Sequence, residues 1–227
     1  MVRTAERRTP TGTVRGVSVN SDPDLRVVHG LRVQGLTDTS GLAAVVGLDE
    51  ADVGDRLVVL AEAGHAQHRD GRMPGWTLTR EGRCHGEELV AAELDAAGER
   101  EAVADLYRRF LGVNRDFLAL CTDWQLSDVE EQVLNDHGDA AYDAAVIARL
   151  ADADRVVQSI CRELAERLAR FDGYGRRFSD ALGRVQAGEV EWFTRPMIDS
   201  YHEVWFKLHE DLLATLGIER ASEGEQA

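Results

Sequence analysis

The sequence predicts a mainly α protein: an N-terminal helix–helix–helix–ribbon–helix unit, then an all-helical region. Three observations lead there. Apolar residues recur at helical spacing along most of the chain, and from Gly64 to Arg83 turn formers and strand formers interrupt that period. The charge is also unevenly placed. Residues 1–90 hold 11 Arg against 13 Asp plus Glu, and residues 91–227 hold 15 Lys plus Arg against 28 acids, a near-neutral part joined to one of net −13.

Taken in order, Asp22 or Asp24 opens a first helix reaching Leu36, with Leu25, Val28, Leu31 and Val33 as core positions. Thr37-Asp38-Thr39-Ser40 is a cluster of cap formers, and the second helix after it is expected to bury Leu42, Val45 and Val46. Gly47-Leu48-Asp49 is a turn. Asp49, paired with Asp52 three residues on, starts a third helix to Ala63. Its stripe is Val53, Leu57 and Leu60, with Val58 and Val59 expected to widen it. His65 to Arg69 suits a short strand, Asp70-Gly71 and Pro74-Gly75 punctuate a turn, and Trp76 to Thr79 suits the returning strand. Helices joined by a turn and followed by a ribbon make a winged helix-turn-helix layout.

Helical spacing resumes after Gly82. Leu89, Leu94, Val103, Leu106, Phe110, Val113, Phe117 and Leu120 form a long stripe interrupted near Ala97-Gly98. Residues 127–138 are polar and irregular. Ala140 to Phe171 reads as one long amphipathic helix, burying Ala144, Ile147, Leu150, Val157, Ile160, Leu164 and Leu168. Gly173 and Gly175 break it, a shorter helix ends at Gly188, and Pro196 opens a final helix that stops at Gly217. The expected organisation is a flexible basic tail over 1–22, a DNA-binding unit over 23–92, a helical dimerisation and effector region over 93–218, and a polar tail over 219–227.

Trp76-Thr77-Leu78-Thr79-Arg80-Glu81-Gly82-Arg83 resembles the L-T-x-x-G-R segment that ends the wing of MarR-like and PadR-like transcriptional regulators. Leu57 to Gly64 resembles their L-x-x-L-x-x-x-G ending of the third helix. The resemblance covers residues 24–92. It implies a cytoplasmic, homodimeric DNA-binding regulator responding to a ligand or signal. Carried onto this sequence, the DNA contacts are Ser40 at the second helix, Arg56 on the third, Arg69 and Arg72 in the wing, and Arg80 and Arg83 at its base. Asp49, Glu50, Asp52 and Asp55 depart from the pattern, because an acidic reading helix repels phosphate. A winged unit that docks a protein partner instead of DNA therefore stands as the alternative.

The remaining chemistry is concentrated toward the C-terminus. Trp124, Trp192, Tyr201 and Trp205 are candidates to line a pocket for a small-molecule effector, and the same grouping also suits a core or a dimer interface. Arg176, Arg177 and Arg195 are possible anion partners. His202 and His209 lie seven residues apart, about 10 Å along a helix, too far to share one ion unaided. No metal or cofactor is assigned, although a helical ligand or metal protein is a further alternative. No nucleophile elbow, phosphate loop or dinucleotide glycine motif is present, so no catalytic residue is assigned. Cys84, Cys121 and Cys161 match no zinc spacing and read as free thiols. No apolar run approaches the roughly 20 residues of a membrane span.

Overall fold

The computed structural model describes residues 18–219. Arg3, Arg7, Arg8 and Arg15 of the expected basic arm lie outside them. Of the expected flexible tail, Ser18 and Val19 are instead pinned along the C-terminal half. The Val19 amide donates to the Arg167 carbonyl at 3.0 Å, the Val19 carbonyl accepts from Ala169, and the Ser18 hydroxyl donates to Ala165.

Helix α1 (Pro23–Gln34) begins where the Asp22 carboxylate accepts from the Asp24 amide at 2.8 Å, with proline in its first turn. Asp38 caps α2 (Thr39–Val46) through the Gly41 amide at 2.7 Å. Gly30 brings α1 and α2 into close contact: a Cβ there would lie 2.5 Å from Val46 Cγ1. Helix α3 (Glu50–Glu62) starts without a side-chain cap from Asp49, so the expected pairing with Asp52 does not form. Its inner stripe is Val53, Leu57 and Leu60, packed with Val28, Leu31, Leu42, Ala66 and Leu78 into one core. Val58 and Val59 do not widen that stripe. They stand 52% and 63% exposed, and Val45 is also exposed.

Strands β1 (Ala66–Arg69) and β2 (Gly75–Leu78) pair antiparallel, with Ala66 opposite Leu78 and Arg69 opposite Gly75. Trp76 exchanges two backbone hydrogen bonds with Thr37, tying the ribbon to the α1–α2 connection. Thr79 then caps α4 (Arg80–Ala97) by accepting from the Gly82 amide at 3.0 Å. Gly82 rests on the start of the ribbon, where a Cβ would fall 1.8 Å from the His65 carbonyl oxygen. The threonine and glycine of the L-T-x-x-G-R segment thus have physical work in this chain: one caps the helix, the other lets it touch the ribbon.

Gly98, with φ 67°, ends α4, and α5 (Arg100–Gln125) follows. A small antiparallel hairpin, β3 (Leu126–Asp128) with β4 (Val133–Leu134), comes next, so the C-terminal half is not all-helical as expected. After α6 (Ala140–Arg167) and a 3-10 turn (Ala169–Phe171) come α7 (Tyr174–Gln186), the short α8 (Glu191–Thr194) and α9 (Tyr201–Leu216). Val146, not Ala144, is the buried residue at the start of α6. Pro196 lies between α8 and α9, and the Ser200 hydroxyl accepts from the Glu203 amide to begin α9. A second core of Phe110, Phe117, Leu150, Ile160, Phe178 and Leu208 fills this half. Each fully buried side chain of this kind stabilises by about 1.5–3 kcal/mol. No helix among the described residues is long and apolar enough to cross a membrane.

Candidate functional site

The ribbon and its surroundings divide by charge. Arg69 ends β1, Arg72 sits in the loop beyond it, and Arg80 and Arg83 occupy the first turn of α4. All four are exposed, and none forms an ion pair or a side-chain hydrogen bond among the described residues. Asp70, the acid between them, contacts His68 at 3.1 Å. Ser40 is exposed in the first turn of α2.

Arg56 does not fit the role the resemblance gives it. Its guanidinium binds Asp52 at 3.1 Å one turn back and also pairs with Asp24 of α1. The hydrogen bond to Asp52 raises its basicity further, so it stays a charged internal tie. The outward stripe of α3 is Asp55, Val58, Val59 and Glu62, which bears no cation. On this face nothing is suited to attract a phosphate backbone.

The aromatic candidates are packed, not lining an opening. Trp124 is 2% exposed and meets Phe193 at 4.6 Å. Tyr201 is fully buried and its hydroxyl donates to Asp154, while Trp205 stacks on Phe117 at 4.0 Å and donates through Nε1 to Asn114. Burial pushes the Tyr201 hydroxyl well above its ordinary value, so it remains a neutral donor. Trp192 is half-buried beneath the Arg184 guanidinium, 4.1 Å from the ring centre. Together they hold α5, α6, α8 and α9 against one another.

A large cleft lies elsewhere, between the two cores. It measures about 1570 Å³ and is lined by Arg26, Val46, Gln158, Tyr174 and Arg176, with residues of both halves on its walls. At its boundary is a buried polar joint. Arg170, whose side chain is 4% exposed, donates to Glu93 of α4 at 2.8 Å and to the Thr215 hydroxyl at 2.6 Å, and pairs with Asp211 of α9. His29 of α1 places Nε2 2.8 Å from the same Asp211, and the Tyr174 hydroxyl donates to its other oxygen at 3.0 Å. Burial alone would raise the Asp211 carboxyl, but the charges and hydrogen bonds of His29 and Arg170 outweigh it and hold the group well below the usual carboxylate range. Burial raises the Tyr174 hydroxyl, which stays protonated and donates.

Nothing in the sequence marks this joint. His29 and Asp211 are 182 positions apart, and only the one-turn spacing of Asp211 and Thr215 hints that they share a face. Of the anion candidates, Arg177 is held by Asp199 at 2.9 Å, Arg176 faces the cleft, and Arg195 is exposed outside its lining. His202 lies over Phe117, His209 is buried against Phe110, and His137 bonds Asp143. No three His, Cys, Asp or Glu side chains converge to hold a metal among the described residues. Cys84 is exposed, whereas burial pushes the Cys121 and Cys161 thiols up to about 12.

No protein-family model matches this chain, and neither a curated protein nor a solved structure matches it.

Proposed function

We propose that the chain is a DNA-binding transcriptional regulator of the winged-helix kind, acting as a homodimer, in which the ribbon rather than the third helix supplies the affinity. The observation that carries this is the set of four exposed arginines, Arg69, Arg72, Arg80 and Arg83, unpaired among the described residues, on and beside the ribbon of a protein with net charge −15. An arginine left without an acid partner on so acidic a chain offers its planar fork to an outside anion. Phosphate is the anion that a helix–turn–helix with a following ribbon meets. Two copies on successive half-sites add the surface that one unit lacks.

The sensing role moves with the geometry. A small-molecule effector is proposed for the cleft, where it would touch Arg26 and His29 of the DNA-side helix and Arg170 and Tyr174 of the other half at once. A ligand that prefers one setting of the two halves shifts their equilibrium by its differential affinity.

Fluorescence anisotropy against DNA flanking the coding region, at two salt concentrations, tests the reading. With Arg69→Ala and Arg72→Ala combined, affinity is expected to fall about tenfold on every sequence, and the salt slope to flatten by about two. Affinity unchanged by this double variant removes the ribbon from the mechanism.

A further inference from the structure

The outer face of α3 has a composition that DNA does not explain. Asp55, Val58, Val59 and Glu62 fall at i, i+3, i+4 and i+7, a single stripe on the solvent side. Its two valines are 52% and 63% exposed, in a helix whose inner stripe is fully packed. Glu50, in the first turn, is also exposed, and the only cation of the helix, Arg56, is tied to Asp24 and Asp52. The face is apolar at its centre and acidic at its ends.

The ribbon of the same unit has the opposite pattern. Met73, 55% exposed, follows Arg72 in the loop that Arg69 enters, and the intervening Asp70 contacts His68. Valines rimmed by carboxylates match a methionine rimmed by guanidiniums in both hydrophobicity and sign.

We infer that two copies of this chain pair with the outer face of α3 in each set against the ribbon of the other, withdrawing the ribbon arginines from DNA. A twofold arrangement makes this contact twice, which doubles the surface each copy buries. The charge distribution favours the same ends. Pairing through residues 91–227 would bring −13 against −13, whereas residues 1–90 are nearly neutral and offer opposite signs to each other. The consequence is regulatory: this off-DNA pair and the two copies that occupy successive half-sites are alternative arrangements competing for Arg69 and Arg72, so the free protein stores its DNA-binding face. The pairing stands on its own observations, and only this competition rests on the DNA reading above.

Sedimentation of the full chain tests it across concentrations up to about 100 μM, at low and high salt. A reversible dimer that weakens with salt is expected. Val58→Ser with Val59→Ser should weaken it about tenfold or more, with thermal melts showing both proteins folded. Asp55→Arg and Arg72→Asp should each weaken pairing, and the two combined in one chain should restore it, because the reversed charges meet across the interface. A monomer throughout the range, a dimer indifferent to the valine changes, or a combined variant no better than the single ones would overturn the proposal. With a DNA probe present, the Val58→Ser, Val59→Ser protein should bind more tightly than the parent by the factor that pairing had withheld. If neither protein binds DNA while pairing responds as described, the pairing holds and the DNA reading fails.

Discussion

Arginines in two parts of this protein do opposite things. At the joint between the halves, Arg170 is almost fully enclosed and every direction of its guanidinium is occupied: Glu93, Asp211, Thr215 and the Phe171 ring beneath it. On the ribbon, Arg69 and Arg72 are exposed and unpaired among the described residues. A charge matched in a buried site holds structure, because removing its partner leaves an ion stranded out of water. A charge left unmatched at the surface contributes little to folding and remains available to a ligand. The difference separates charges that assemble this molecule from charges that its folding does not use.

The largest effect expected from breaking that contrast is at the joint. Arg170→Met leaves Glu93 buried without its cation and Asp211 with His29 alone, and should cost about 3–5 kcal/mol in urea unfolding. The same change at the ribbon, Arg72→Met, should leave unfolding within about 0.5 kcal/mol of the parent. Equal losses at both sites would erase the distinction.

The acid limb sharpens it next. Asp211 has its proton affinity lowered by folding, so the unfolded chain takes up that proton first as pH falls. Its stabilisation is complete above about pH 5 and is lost as pH drops below about 4 toward the folded-state value. The melting temperatures of the parent and of Asp211→Asn should therefore differ clearly at neutral pH and converge in acid. A gap independent of pH would mean that Asp211 is not ionised in the fold.

The smallest effect concerns Arg56, which lies between the two kinds. Its pairs with Asp24 and Asp52 are near the surface, so Arg56→Ala should change stability by less than about 1 kcal/mol. It should also leave DNA affinity near that of the parent, unlike the ribbon double variant. A loss matching that of the ribbon would return α3 to the interface.

How far these assignments were legible depends on how local their causes are. The helix starts at Asp22 and Asp38 could be placed because a cap acts within three residues, and the ribbon because Asp70-Gly71 and Pro74-Gly75 mark its turn. The start of α4 at Arg80, capped by Thr79, comes earlier than the expected resumption after Gly82, because a threonine that ends a strand reads the same as one that caps a helix. Thr79 and Gly82, two residues of the segment that carries the resemblance, both touch the start of the ribbon. Val58 and Val59 misled because a valine on a helix looks the same whichever side of the stripe it occupies. Trp124, Tyr201 and Trp205 stayed open between core and pocket for a related reason: the residues that fill a core also line a pocket, and only the neighbours decide for the core.

The sequence by itself determined the helical character of the chain, the position of its one early ribbon and the imbalance of charge between its halves, because each follows from composition or from contacts a few residues long. Tertiary structure alone decided which charges are free. Arg56 and Arg72 are equally cationic as letters, yet α1 brings Asp24 to the first while the second forms no ion pair among the described residues. His29, Arg170 and Asp211 became a joint because three distant segments converge where water is excluded, and there the attraction of Asp211 for each of its two partners is screened less than at the surface.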